Sequence, residues 1–138
     1  ESVLFIEDTK ITISINAATG AHPVGEPFRI TLHLKNSVKS RLGIYPTSFW
    51  NRLLIGKNKH ITKDLAIDYC FKTEEELFLK LLEHKSFCKI LEQDEVYIRL
   101  YIKEKQLVLI PKKGIKDLHQ FENFLQLMKI LENEVSIR

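Results

Sequence analysis

Val96-Tyr97-Ile98-Arg99-Leu100-Tyr101-Ile102-Lys103 alternates apolar and wetter side chains without a break, and Leu107-Val108-Leu109-Ile110 follows just after Glu104-Lys105. Successive side chains of a strand point to opposite faces. The alternation therefore predicts a strand that buries Val96, Ile98, Leu100 and Ile102 and turns Tyr97, Arg99, Tyr101 and Lys103 to a wetter face. The short polar link predicts a tight hairpin, and the unbroken apolar run of its second arm predicts a more buried position. Burial on one face only is the antiparallel pattern.

The same period recurs upstream. Ile11, Ile13 and Ile15 alternate with Thr12 and Ser14, and Phe28, Ile30, Leu32 and Leu34 alternate with Arg29, Thr31, His33 and Lys35. Leu65, Ile67, Tyr69 and Phe71 alternate with Ala66, Asp68, Cys70 and Lys72. Leu42 to Tyr45, ended by Pro46, reads as a short edge strand, because proline cannot donate to a ladder. Helical spacing appears between these runs. Thr73-Glu74-Glu75-Glu76 has the form of a capping box ahead of the apolar stripe Leu77, Phe78, Leu81 and Leu82. Ser86 is placed to cap a further turn carrying Phe87, Ile90 and Leu91. A shorter helix is predicted over residues 47–54, and the longest starts near Asp117, with Leu118, Phe121, Leu125, Met128 and Leu131 along one side. Loops fall at 16–26, 36–41 and 55–64. The order β-β-β-α-β-α-β-β-α predicts an α+β fold, a mainly antiparallel sheet of five or six strands with helices packed on one face.

At 138 residues and 16.2 kDa, with 44% apolar and 28% charged side chains, the chain has the size and composition of one soluble globular domain, 1–138. Collagen-like, disordered and disulfide-scaffold classes are excluded by 5 Gly, 4 Pro and 2 Cys. Cys70 and Cys88 form no CxxC motif and have no neighbouring His pair, so they predict neither zinc nor redox chemistry. Two buried free thiols favour a reducing compartment. No apolar stretch is long enough to cross a membrane as a helix.

The net charge of +3 is banded. Residues 27–64 carry +7 and 95–116 carry +4, while 1–26 and 65–94 carry −3 each and 117–138 carry −2. Basic bands mark surfaces for nucleic acid or anionic lipid as well as ordinary soluble loops.

No catalytic signature is present: nucleophile elbow, P-loop, zinc-protease helix and dinucleotide fingerprint are all missing. Gly56-Lys57-Asn58-Lys59-His60 has a single glycine and a polar loop, not a phosphate cradle. His22, His33, His60, His84 and His119 show no helical pairing. No catalytic, cofactor-binding or metal-ligating residue is therefore assigned, and no cofactor. The candidate interaction face is the wetter side of the sheet, with Arg29, His33, Lys35, Tyr97, Arg99, Tyr101 and Lys103. Cations interleaved with aromatic rings are what a single-stranded nucleic-acid platform uses. Tyrosine and threonine are also good strand formers on any solvated face.

Several phrases carry a resemblance. Leu65-Ala66-Ile67-Asp68-Tyr69-Cys70-Phe71, a following acidic helix ending Leu81-Leu82, Val96-Tyr97-Ile98-Arg99-Leu100, Leu107-Val108-Leu109-Ile110 and Phe121-Glu122-Asn123-Phe124-Leu125 resemble the soluble portion of uncharacterised bacterial membrane-linked proteins. Asp64, Ile67, Asp68 and Phe71 match the D-x-x-F/I-D-x-x-F phrase that leads into that portion, and Arg41-Leu42-Gly43-Ile44-Tyr45-Pro46 resembles the segment upstream. The resemblance spans about residues 28–134. It implies an α+β fold and no activity. With the start at Glu1, it leads to the expectation of a soluble domain cut from a longer, membrane-anchored protein, cytoplasmic and held at the membrane only through a segment absent from this chain.

The first functional expectation is a non-catalytic protein-interaction or scaffolding domain with a protein partner or a second copy of itself. The alternative is a single-stranded nucleic-acid-binding domain using the basic and aromatic sheet face. An enzyme whose site is assembled from residues distant in sequence comes last.

Overall fold

Seven strands and three helices make up the described part of the computed structural model, which covers residues 2–6, 8–14, 28–38, 40–46 and 69–136. They are β1 (Ser2–Ile6), β2 (Thr9–Ser14), β3 (Arg29–His33), β4 (Leu42–Pro46), β5 (Tyr69–Thr73), α1 (Glu75–Leu82), α2 (Lys85–Gln93), β6 (Val96–Tyr101), β7 (Gln106–Pro111) and α3 (Leu118–Val135). The strands form one antiparallel sheet in the order β1-β2-β3-β7-β6-β4-β5. This is the α+β architecture that the alternation predicts.

The period-2 pattern becomes one continuous apolar face. Register aligns Ile13, Ile30, Leu109, Ile98, Ile44 and Phe71 in a single row across β2, β3, β7, β6, β4 and β5. Helix side chains close over it. Leu77, Phe78 and Leu81 of α1, Phe87, Ile90 and Leu91 of α2, and Phe124, Leu127, Met128, Leu131 and Val135 of α3 join the same buried cluster. α3 packs on α1, α2 and β7. Burying one such side chain contributes about 1.5–3 kcal/mol before its lost rotamer freedom is counted. No described helix is long and apolar enough to cross a membrane.

The hairpin that opened the reading is present. β6 pairs with β7 from Val96↔Pro111 to Tyr101↔Gln106, and β7 lies between β6 and β3, the more buried position expected of its unbroken apolar run. The strand ends at Tyr101, so Ile102 and Lys103 lie in the connecting turn, where Lys105 closes onto the Ile102 carbonyl at φ 53°.

Four local readings differ. β1 adds a seventh strand: after Ser2 it is an unbroken apolar run, Val3 to Ile6, whose pairing with β2 turns Val3 and Phe5, 50% and 68% exposed, to the face away from the core. β4 is not an edge strand but lies between β6 and β5. β6 pairs only with Gly43 and Ile44, so Pro46 at the strand end is not asked for a donor on that side. Thr73 does not cap α1. It is the last residue of β5, its hydroxyl donates to the Arg41 carbonyl (2.7 Å), and Glu74 takes the N-cap position without a side-chain bond. α2 starts at Lys85 after an N-cap at His84, one residue before Ser86. Asp117 does cap α3, its carboxylate accepting from the Gln120 amide at 2.8 Å. The helix expected at 47–54, the loops at 16–26 and 55–64, and residues 65–68 of the third alternating run lie outside the described residues.

Candidate functional site

Strand register decides what meets on the sheet face opposite the helices. One row there runs Val3, Thr12, Thr31, Val108, Arg99, Gly43 and Lys72 from β1 to β5. A second places His33, Gln106 and Tyr101 side by side. On the other flank Tyr97 is opposite Ile110 and Tyr45 opposite Cys70.

Exposure along this face is uneven. Val108 and Cys70 are 2% and 1% exposed although neither belongs to the core cluster under the helices, and Thr12 and Thr31 are buried as well. The expected platform is therefore not one uniform surface. Arg29 and His33 sit on β3, half-buried, with the His33 ring 2.8 Å from the Thr12 hydroxyl. Lys35 lies beyond the end of β3, exposed. Tyr97, Arg99 and Tyr101 sit two strands away on β6, with Lys103 in the turn after it.

Around β6 the chemistry concentrates. Arg41, Tyr45, Lys72, Arg99, Tyr101 and Lys103 line an open cleft of about 630 Å³ at the β4-β5-β6 end of the sheet. Glu104 is the acidic residue in its wall. Arg41, Lys72, Arg99 and Lys103 are exposed, and among the described residues none of them is held in a salt bridge. Aromatic rings neighbour two of these cations: Lys72 Nζ is 5.6 Å from the centre of the Tyr45 ring, and the Arg99 guanidinium is 5.0 Å from that of Tyr101. Such contacts contribute about 0.5–1 kcal/mol each where exposed, and they hold a flexible cation near a flat surface.

Tyr45 is the hinge of the arrangement. Its ring sits 6.1 Å from that of Tyr97 at 58°, and it lies so close over Gly43 that a β-carbon there would be 2.9 Å from the Tyr45 hydroxyl oxygen. Gly43 is thus the residue whose missing side chain makes room for the ring. Burial pushes the Tyr45 phenol above its ordinary value of 10.0, with Arg99 pulling the other way. At neutral pH the hydroxyl is therefore intact and able both to donate and to accept.

Of the seven expected face residues the cleft brings together three, Arg99, Tyr101 and Lys103, with the Tyr97 ring beside Tyr45 at its flank. Arg29, His33 and Lys35 do not reach it. Arg41, Tyr45 and Lys72 were not expected. The alternation of 65–71 already puts Lys72 on the wetter side, but only the pairing of β4 with both β5 and β6 carries Lys72 and Tyr45 next to Arg99.

Among the described residues no three His, Cys, Asp or Glu side chains gather where they could hold a metal ion. Both cysteines are free of disulfides, Cys70 buried and Cys88 half-buried, and burial followed by the charge of Glu92 pushes the Cys88 thiol up. Comparison with known protein families, curated proteins and solved structures returns no match.

Proposed function

We propose that the chain is a non-catalytic interaction domain that holds an anionic partner against the sheet face opposite its helices. The observation that carries the reading is the cleft's charge: four exposed cations without ion pairs among the described residues, against one carboxylate. Elsewhere three of the described lysines lie beside a carboxylate, while others, Lys85 and Lys89 of α2 among them, are unpaired among the described residues but not gathered around a cleft. Lys129 bonds Glu132 at 2.7 Å, Lys112 bonds Glu95 at 2.9 Å, and Lys80 sits 3.6 Å from Glu76. Unpaired cations on the wall of a concave surface raise the local concentration of anions and speed their arrival. The sheet fixes the points from which the four side chains emerge, and each exposed cation then gives up rotamer freedom when a partner holds it.

Retention on immobilised heparin, a generic polyanion, tests this. Charge reversal of Lys72→Glu with Arg99→Glu is expected to lower the eluting salt concentration well below that of the unaltered protein. Lys85→Glu with Lys89→Glu on the exposed side of α2 removes the same charge and is expected to change retention little. Equal shifts for the two pairs would show that only net charge matters and would overturn the reading.

A further inference from the structure

Resting on that reading and sharpening it, we infer that the β4-β5-β6 cleft is a binding site for single-stranded nucleic acid, with unpaired bases stacking at Tyr101 and Arg99 and phosphates met by Arg41, Lys72 and Lys103. Three features select this ligand over other polyanions. The first is charge complementarity, four cations to one carboxylate around one cleft. The second is flatness. Arg99 and Tyr101 alternate along the same face of β6 and lie 5.0 Å apart as a cation and ring pair, and a planar base can extend such a stack from either a ring or a guanidinium surface. A run of acidic side chains would satisfy the cations but leave the Tyr101 ring without a stacking partner. The third is size: about 630 Å³ is the size of a small-ligand site and gives room for a nucleotide or two.

Tyr45 lies over Gly43, between Lys72 and Arg99, and the Thr73 hydroxyl donates to the Arg41 carbonyl where β4 and β5 border the cleft.

Fluorescence anisotropy with a short labelled oligothymidylate is the experiment. Binding is expected at low salt and should weaken with a log–log salt slope of about −2, roughly 0.7 for each of three phosphate contacts on a single strand. Tyr101→Ala is expected to weaken binding about tenfold or more, and Tyr101→Phe, which keeps the ring, to restore it. Lys72→Gln should weaken binding and make the slope shallower. A duplex of the same sequence should compete poorly, and so should polyglutamate. Absence of binding at low salt, an unaltered affinity for Tyr101→Ala, or equal competition by duplex or polyglutamate would each overturn the nucleic-acid assignment. If heparin retention still depends on Lys72 and Arg99 in that case, the broader anionic-partner reading stands; if it does not, both fall.

Discussion

Gly43 is the position where one atom decides the shape of the cleft. A methyl group there would sit 2.9 Å from the Tyr45 hydroxyl oxygen and 3.0 Å from the ring carbon Cε2, closer than real contacts allow. The clash falls on the far end of a side chain, not on backbone, so the ring can swing aside at small cost. Alanine also suits a strand better than glycine, by about 0.5–1 kcal/mol. Gly43→Ala is therefore expected to leave the free energy of unfolding in urea within about 1 kcal/mol of the parent while weakening oligothymidylate binding several-fold, as the ring is pushed from its place over the strand between Lys72 and Arg99. Unchanged affinity beside unchanged stability would show that the Tyr45 position does not shape the site. The residue is hard to read from sequence because a lone glycine in a strand signals many things. Its partner in the clash, Tyr45, follows two residues later on the same face, and that spacing is the one sequence clue to the pair.

At the scale of elements, Asp94 joins four of them. Its backbone carbonyl accepts from the Tyr69 hydroxyl (2.7 Å), at the start of β5, and its carboxylate accepts from Gln120 Nε2 (2.7 Å), in the first turn of α3. Asp94 itself is the C-cap of α2, two residues before β6. Gln120 also accepts from the Lys116 amide at 2.6 Å and gives its own amide to Asp117. Gln120→Leu keeps the volume but strips the Asp94 carboxylate and the Lys116 amide of a partner. A loss of about 1–3 kcal/mol is expected from chemical denaturation, the cost of leaving a half-buried polar group unsatisfied. A loss below about 0.5 kcal/mol would show that water replaces the side chain freely. The Asp117 and Gln120 spacing was legible as a helix start, because capping is a local matter. The link from Gln120 to Asp94 was not, since it spans 26 residues. Thr73 shows the opposite failure. Its spacing to Glu76 matches a capping box, yet pairing with Leu42 holds it in β5 and its hydroxyl goes to Arg41. A distant backbone partner outcompeted a local one.

Over the whole molecule the sheet is assembled from far-apart pieces. The β1-β2-β3 meander joins the rest of the sheet through β3 and β7, whose paired residues Ile30 and Leu109 are far apart in sequence. Alternation at 11–15, 28–34 and 96–103 made the strands legible and one face apolar, but period says nothing of order. Order is what sets β4 beside β6 and so creates the cleft from residues 41, 45, 72, 99, 101 and 103. Leu109 occupies the junction: it is fully buried, faces Ile30 on one side and Ile98 on the other, and so links the meander to the cleft-bearing half. Leu109→Ala should remove more than a local contact. Truncating a buried leucine costs about 2–5 kcal/mol, the upper end applying where neighbours cannot collapse into the space. Here both flanking residues are held by ladders on rigid strands, so a loss of about 3 kcal/mol or more is expected in urea denaturation. The two halves should nevertheless unfold in one transition, because α3 packs on β7 and Lys129 reaches the Thr9 hydroxyl at 3.3 Å, tying the meander to the helix layer. Two separated transitions, or a loss under about 1 kcal/mol, would show that the meander and the cleft-bearing half are independent units joined only edge to edge.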